Sequence, residues 1–171
     1  MIKDSTGEVV DKYCCQNGEL RQVLFCKLGG NFTGVIKPRN PEQYCLFDML
    51  KDKTSKIKLV TGRFGSGKTL AMVNAALELV EKGKFDRIIW VRNNVPVKDA
   101  PEIGFLPGDD FAKLKPFLGP FIDHAGGEEG VTKLLEEDKL QVIPLGHLRG
   151  RSLKNCILLC SECENFTKEH I

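Results

Sequence analysis

Eight consecutive residues, Gly62-Arg63-Phe64-Gly65-Ser66-Gly67-Lys68-Thr69, constrain this chain more than any other feature. They fit G-x-x-x-x-G-K-[ST], a pattern that works only where a strand feeds a glycine-rich loop that opens a helix. The flanks fit that context. Ile57-Lys58-Leu59-Val60-Thr61 reads as a short buried strand. Leu70 to Lys82 reads as a helix, with Leu70, Val73, Leu77 and Val80 at helical spacing and Gly83 as its stop. The expected class is α/β, a parallel sheet flanked by helices.

The residue types in the loop point to a polyphosphate. Gly62, Gly65 and Gly67 let the backbone curl with its N–H groups inward, since glycine tolerates positive φ and has no Cβ to block the approach. The helix that follows adds unpaired N–H groups and the positive end of its dipole. Lys68 is placed to meet the β- and γ-phosphates as a point charge, and the Thr69 hydroxyl to take one position on Mg²⁺. Arg63, Phe64 and Ser66 complete the loop. The ligand expected is a nucleoside triphosphate with Mg²⁺.

Length and charge add bounds rather than chemistry. At 171 residues the chain suits one α/β domain with a small appendage. Its apolar runs are too short to span a bilayer, and its start lacks the apolar segment of a signal peptide, so a cytoplasmic protein is expected. A net charge of +2 argues neither for nor against nucleic acid, and the basic stretch Lys51, Lys53, Lys56, Lys58 reads as a solvated loop. Seven scattered cysteines do not form a disulfide framework. Strand alternation would point Cys163 away from Cys160, and Cys156, Cys160 and Cys163 read as small buried residues rather than a zinc site.

Along the chain, Val9-Val10 and Val23-Leu24-Phe25-Cys26 around Asn17-Gly18 predict an N-terminal β-hairpin. Asn40 and Pro41 mark a capped helix start, with Tyr44, Leu46, Phe47 and Leu50 on its inner face. Asp86 to Arg92 is a second strand, buried on both faces. Residues 93–110 form a long Pro- and Gly-rich loop of the functional kind. Asp109 to Asp123 is a helix interrupted at Pro116 and Pro120, Glu128 to Asp138 another. Leu140 to Leu145 and Asn155 to Cys160 are strands. His124 and His147 have no partners at metal spacing.

Several segments together resemble the PhoH-like ATPase family. They are Ile36-Lys37-Pro38-Arg39-Asn40-Pro41-Glu42-Gln43, the phosphate loop, Ile103-Gly104-Phe105-Leu106-Pro107-Gly108, Leu148-Arg149-Gly150-Arg151-Ser152 and Glu162-Cys163-Glu164-Asn165. They follow the family's order over roughly residues 35–171. The resemblance implies a P-loop NTPase domain with a RecA-like core over 36–171, behind a short hairpin extension over 1–35. It implies ATP binding, hydrolysis and a link to RNA, and relatives of this type often form homo-oligomers. It places Gln43, with Arg39 and Asn40, near the base, where a Gln amide can pair with an adenine edge; a helix cap is the other reading. Arg149 and Arg151 would reach phosphates or a nucleic-acid backbone, or else pair on the surface.

Two departures qualify that picture. Where the family carries Asp-Glu-Ala-Gln-Asn after an apolar strand, this chain has Ser161-Glu162-Cys163-Glu164-Asn165. Ser161 stands in the metal-holding position, and a neutral hydroxyl is a weaker partner for a hard dication than a carboxylate. Glu162 remains to orient or accept a proton from the attacking water. The chain also stops soon after this motif, so the sheet is expected to be incomplete at its C-terminal end. Hydrolysis, ATP-dependent regulation without turnover, and an inactive remnant are the functions in play.

Overall fold

The computed structural model describes residues 1–16, 18–30, 34–92, 110–145, 148, 150–161 and 163. The chain divides into two compact units, Met1–Glu78 and Leu79–Ile171.

The first unit begins with three two-stranded antiparallel ribbons: β1 (Ile2–Lys3) with β2 (Val9–Asp11), β3 (Tyr13–Gln16) with β4 (Glu19–Gln22), and β5 (Leu28–Gly30) with β6 (Gly34–Ile36). The hairpin therefore differs from its expected strands. Gln16 pairs with Glu19 around Gly18, whose φ of 84° supplies the left-handed turn. Val9 pairs with Lys3 of β1, the register skips Val10, and Val23 to Cys26 lie outside any strand. The apolar pattern located the turn, but the tight ladder formed on the residues nearest it.

Helix α1 (Pro41–Lys51) starts as its sequence dictates. Pro41 occupies the first turn, and Asn40 caps it by accepting a hydrogen bond from the Gln43 N–H at 2.9 Å. Phe47 is buried with Leu28, Ala71 and Ala75, and Leu46, Leu50, Ile36 and Cys26 pack against them. Tyr44 stacks edge-on with Phe25, centroids 5.7 Å apart. Helix α2 (Lys68–Glu81) is buried nearly all round, from Ala71 to Val80. Glu78 accepts a bond from the Gly29 N–H at 3.2 Å and pairs with Lys51 at 3.3 Å, fastening the β5–β6 ribbon and α1 to this helix. Gly29 has to be glycine, because a Cβ there would lie 1.9 Å from the Gly34 carbonyl oxygen.

Residues 57–61 are not a strand. Ile57 and Leu59 are 91% and 78% exposed, so the run is not the buried strand expected. Lys58 faces the other way: its ammonium donates to the carbonyls of Leu50 and Asp52 at the end of α1. Burial lowers the pKa of Lys58, opposed by the charge of Asp52.

The second unit is built on a parallel sheet in the order β8-β7-β9, from β7 (Arg87–Arg92), β8 (Leu140–Pro144) and β9 (Cys156–Cys160). The central strand has neighbours on both sides, and Ile88, Ile89, Trp90 and Val91 are each 2% exposed or less. α3 (Asp110–Ile122) and α4 (Gly127–Glu136) connect β7 to β8. α3 runs unbroken past Pro116 and Pro120, where an interruption was expected. Burial of Leu118 and Phe121 offsets the bonds the prolines cannot make. Trp90 meets the Phe121 ring at 5.3 Å and donates its indole N–H to the Phe117 carbonyl at 3.1 Å.

Both α2 and α4 end in the same way. Lys84 N–H bonds to Leu79 O and Gly83 N–H to Val80 O, with Gly83 at φ 64°. Lys139 and Asp138 make the equivalent pair to Leu134 and Leu135, with Asp138 at φ 53°. After β9 the chain leaves the extended path, and the Cys163 thiol turns back to donate to the Cys160 carbonyl at 3.3 Å, contrary to the alternation expected. Burial, then the Cys163 thiol, pushes the Cys160 pKa up to about 11. All seven cysteines are free, and among the described residues no group of three or more His, Cys, Asp or Glu could hold a metal.

Candidate functional site

The phosphate-loop residues lie together in the first unit, between residues 57–61 and α2. Their backbone takes the shape that the glycines allow: φ is 155° at Gly62, 72° at Gly65 and 84° at Gly67. The last two are left-handed, and nothing stands within 4 Å of where a Cβ at Gly65 would be, so that position is set by backbone geometry rather than by crowding. The Ser66 N–H closes on the Arg63 carbonyl at 3.4 Å, and the Ala71 N–H on the Gly67 carbonyl at 2.9 Å. Lys68 and Thr69 form the first turn of α2, which contains no acidic residue. A carboxylate there would compete for the same N–H groups and the same end of the dipole.

Lys68 is held by its own loop. Its ammonium donates to the carbonyls of Gly62 at 2.8 Å and Arg63 at 2.9 Å, and lies 5.9 Å from the Phe64 ring centre. These are exposed, neutral acceptors, so a multiply charged anion would outcompete them. Phe64 itself is 99% exposed, which no packing requirement explains.

Gln43 reaches this loop from α1. Its Oε1 accepts from the Arg39 N–H at 2.8 Å, and its Nε2 donates to the Ser66 carbonyl at 3.2 Å. Arg39, Asn40, Gln43 and the loop are thus one hydrogen-bonded constellation. The resemblance places the first three near a base, with a helix cap as the other reading; the link from Gln43 to Ser66 has no sequence signal, because the two lie far apart in the chain.

The remaining expected residues belong to the second unit. Ser161 follows β9, is 7% exposed, and its N–H extends the sheet to the Val91 carbonyl at 3.4 Å. Arg151 is exposed, and its N–H closes a turn on Leu148 O at 3.3 Å. Glu162 and Arg149 lie outside the described residues, as do His147, residues 93–109, which include Ile103 to Gly108, and the motif residues Glu164 and Asn165.

The loop residues fit a polyphosphate: two left-handed glycines, a first helical turn free of acid, and a lysine whose ammonium donates to neutral carbonyls. For Mg²⁺ the loop offers the hydroxyl of Thr69, in the first turn of α2. A neutral hydroxyl suits an ion that keeps most of its waters and binds mainly to phosphate.

Among the described residues, no helix is long and apolar enough to cross a membrane. Comparison with known proteins places the chain among relatives. The family model described as PhoH-like protein matches residues 35–171. Protein PhoH2 of Thermobispora bispora is 30% identical over 136 residues, covering 78% of this chain and 31% of that protein. A PhoH-like protein of Synechocystis is 36% identical over 110 residues, 62% of this chain and 33% of that one. A PhoH-like protein of Mycobacterium bovis is 31% identical over 141 residues, 80% and 39% respectively. The chain therefore spans about a third of the length of these curated relatives. The glycine-rich loop lies inside the matched region, and the chain belongs to the PhoH-like protein family.

Proposed function

We propose that this protein binds ATP through residues 62–69 and hydrolyses it with Mg²⁺, on a RecA-like P-loop core formed by residues 36–171, with 1–35 as an extension. The observation that carries the reading is the backbone of the loop, left-handed at Gly65 and Gly67 and opening directly into α2. In this reading the loop N–H groups and the first turn of α2 bind the phosphates, and Lys68 leaves the Gly62 and Arg63 carbonyls for them. Thr69 supplies a hydroxyl toward Mg²⁺, which would neutralise charge on the phosphate oxygens, and Ser161 stands where the family's pattern expects a metal-holding residue. Glu162 orients water or takes its proton, and Arg149 and Arg151 meet phosphate or a nucleic-acid backbone. Coupling to RNA remodelling and assembly into a homo-oligomer extend the proposal on family membership alone.

A second reading, an ATP-binding regulatory module without turnover, is favoured by one observation: the residue after β9 is a buried serine, not a carboxylate. ATP hydrolysis by the protein with Mg²⁺, beside Lys68→Ala and Glu162→Gln, separates the two. Turnover that falls at least about 100-fold in both variants supports the ATPase, a loss in the range that a positioned charge or base supplies. Binding without turnover in the unaltered protein establishes the second reading.

A further inference from the structure

We propose that Gln43 is a positioning residue that sets the peptide between Ser66 and Gly67, so that it controls affinity for the triphosphate irrespective of the base; this role rests on the nucleotide-binding reading above. Three hydrogen bonds point to it. Asn40 Oδ1 accepts from the Gln43 N–H at 2.9 Å and fixes the first turn of α1. Gln43 Oε1 accepts from the Arg39 N–H at 2.8 Å, a side chain reaching back over the helix start as in a capping box. Gln43 Nε2 then donates to the Ser66 carbonyl at 3.2 Å. The amide has one orientation that serves both ends. Turned over, it would set an NH₂ group against the Arg39 N–H and an oxygen against the Ser66 carbonyl.

The consequence for the loop follows from peptide geometry. In a planar trans peptide the C=O and the next N–H point in opposite directions. A Ser66 carbonyl drawn toward α1 therefore turns the Gly67 N–H away from α1, and turns a repulsive carbonyl out of the phosphates' way. Gly67 permits this at φ 84°, and the Gln43 amide lies against it: a Cβ at Gly67 would meet Nε2 at 3.5 Å. With Gln43 removed, the Ser66–Gly67 peptide loses the partner that fixes its direction, and one N–H donor to the phosphates is lost for part of the time.

The test compares Gln43→Ala and Gln43→Glu with the unaltered protein, by calorimetric titration with ATP, GTP and inorganic tripolyphosphate. Glu keeps an acceptor for the Arg39 N–H but replaces the donor to Ser66, and a carboxylate in the first turn of α1 suits the helix dipole, so that variant folds. Both variants are expected to weaken all three ligands alike, by about 5- to 20-fold, below the roughly 10- to 150-fold of a whole hydrogen bond at a charged group because the donor is lost for only part of the time, with a cooperative unfolding transition retained. A loss confined to ATP would overturn the proposal and make Gln43 a reader of adenine. So would unchanged affinities, or a loss in the Glu variant alone, which would be a charge effect. If the unaltered protein binds none of the ligands, the nucleotide reading fails. Amide hydrogen exchange of the ligand-free protein then decides the positioning role by itself. Faster exchange over 64–67 in both variants supports it, and unchanged exchange there refutes it.

Discussion

Residues 57–61 and 87–92 are both short apolar runs placed beside charged residues, and their fates are opposite. In β7, Ile88 to Val91 are buried to within 2% and paired with β8 on one side and β9 on the other. In 57–61, Ile57 and Leu59 face outward, while Lys58 turns in to hold the carbonyls that end α1. An apolar run states a preference for burial, but a strand exists only where a neighbour completes its ladder of hydrogen bonds. Where no ladder forms, a single polar contact is enough to decide which alternate residues face in.

The comparison can be broken most directly at Trp90. Replacing it with Ala removes the contact with Phe121 and the indole N–H bond to the Phe117 carbonyl. It should cost about 3–5 kcal/mol and lower the melting temperature sharply. A loss below about 1 kcal/mol in denaturant unfolding would show that the sheet is not the core of its unit. A smaller effect is expected at the start of α1. Asn40→Ala removes the cap and should cost about 1 kcal/mol, read from the shift in urea midpoint, with Asn40→Ser largely restoring it. The smallest effect belongs to the exposed run. Ile57→Ser and Leu59→Ser should each change stability by no more than about 0.5 kcal/mol. A cost of about 2 kcal/mol for either would reverse the contrast, since only buried aliphatic side chains carry that much.

Local signals were legible where local chemistry decides the outcome. Asn40 and Pro41 start α1, Gly83 ends α2 in the left-handed conformation, and the glycines of the loop bend where the pattern requires. Strands β7, β8 and β9 lie within a residue or so of where alternation and apolar runs place them. What was not legible depended on partners distant in sequence. Lys58 meeting Leu50 and Asp52, Gln43 meeting Ser66, and Glu78 meeting Gly29 and Lys51 each set a local geometry that no spacing encodes. The prolines of α3 misled for the same reason: their cost is local, whereas the burial of Leu118 and Phe121 that offsets it is tertiary. In the site, the bend of the glycine-rich loop was legible in its pattern, and the hydrogen bond from Gln43 to Ser66 was not.

The central claim is that residues 62–69 bind a nucleoside triphosphate, and thermal unfolding with and without ATP tests it most directly. A ligand that binds only the native state must raise its stability, by about 2.7 kcal/mol at a hundred times its dissociation constant. The melting temperature should rise with ATP and Mg²⁺, and the rise should vanish in Lys68→Ala, whose ligand-free melting temperature should match that of the unaltered protein because its ammonium is exposed. No shift in the unaltered protein, or an equal shift in both, would contradict the assignment of the loop.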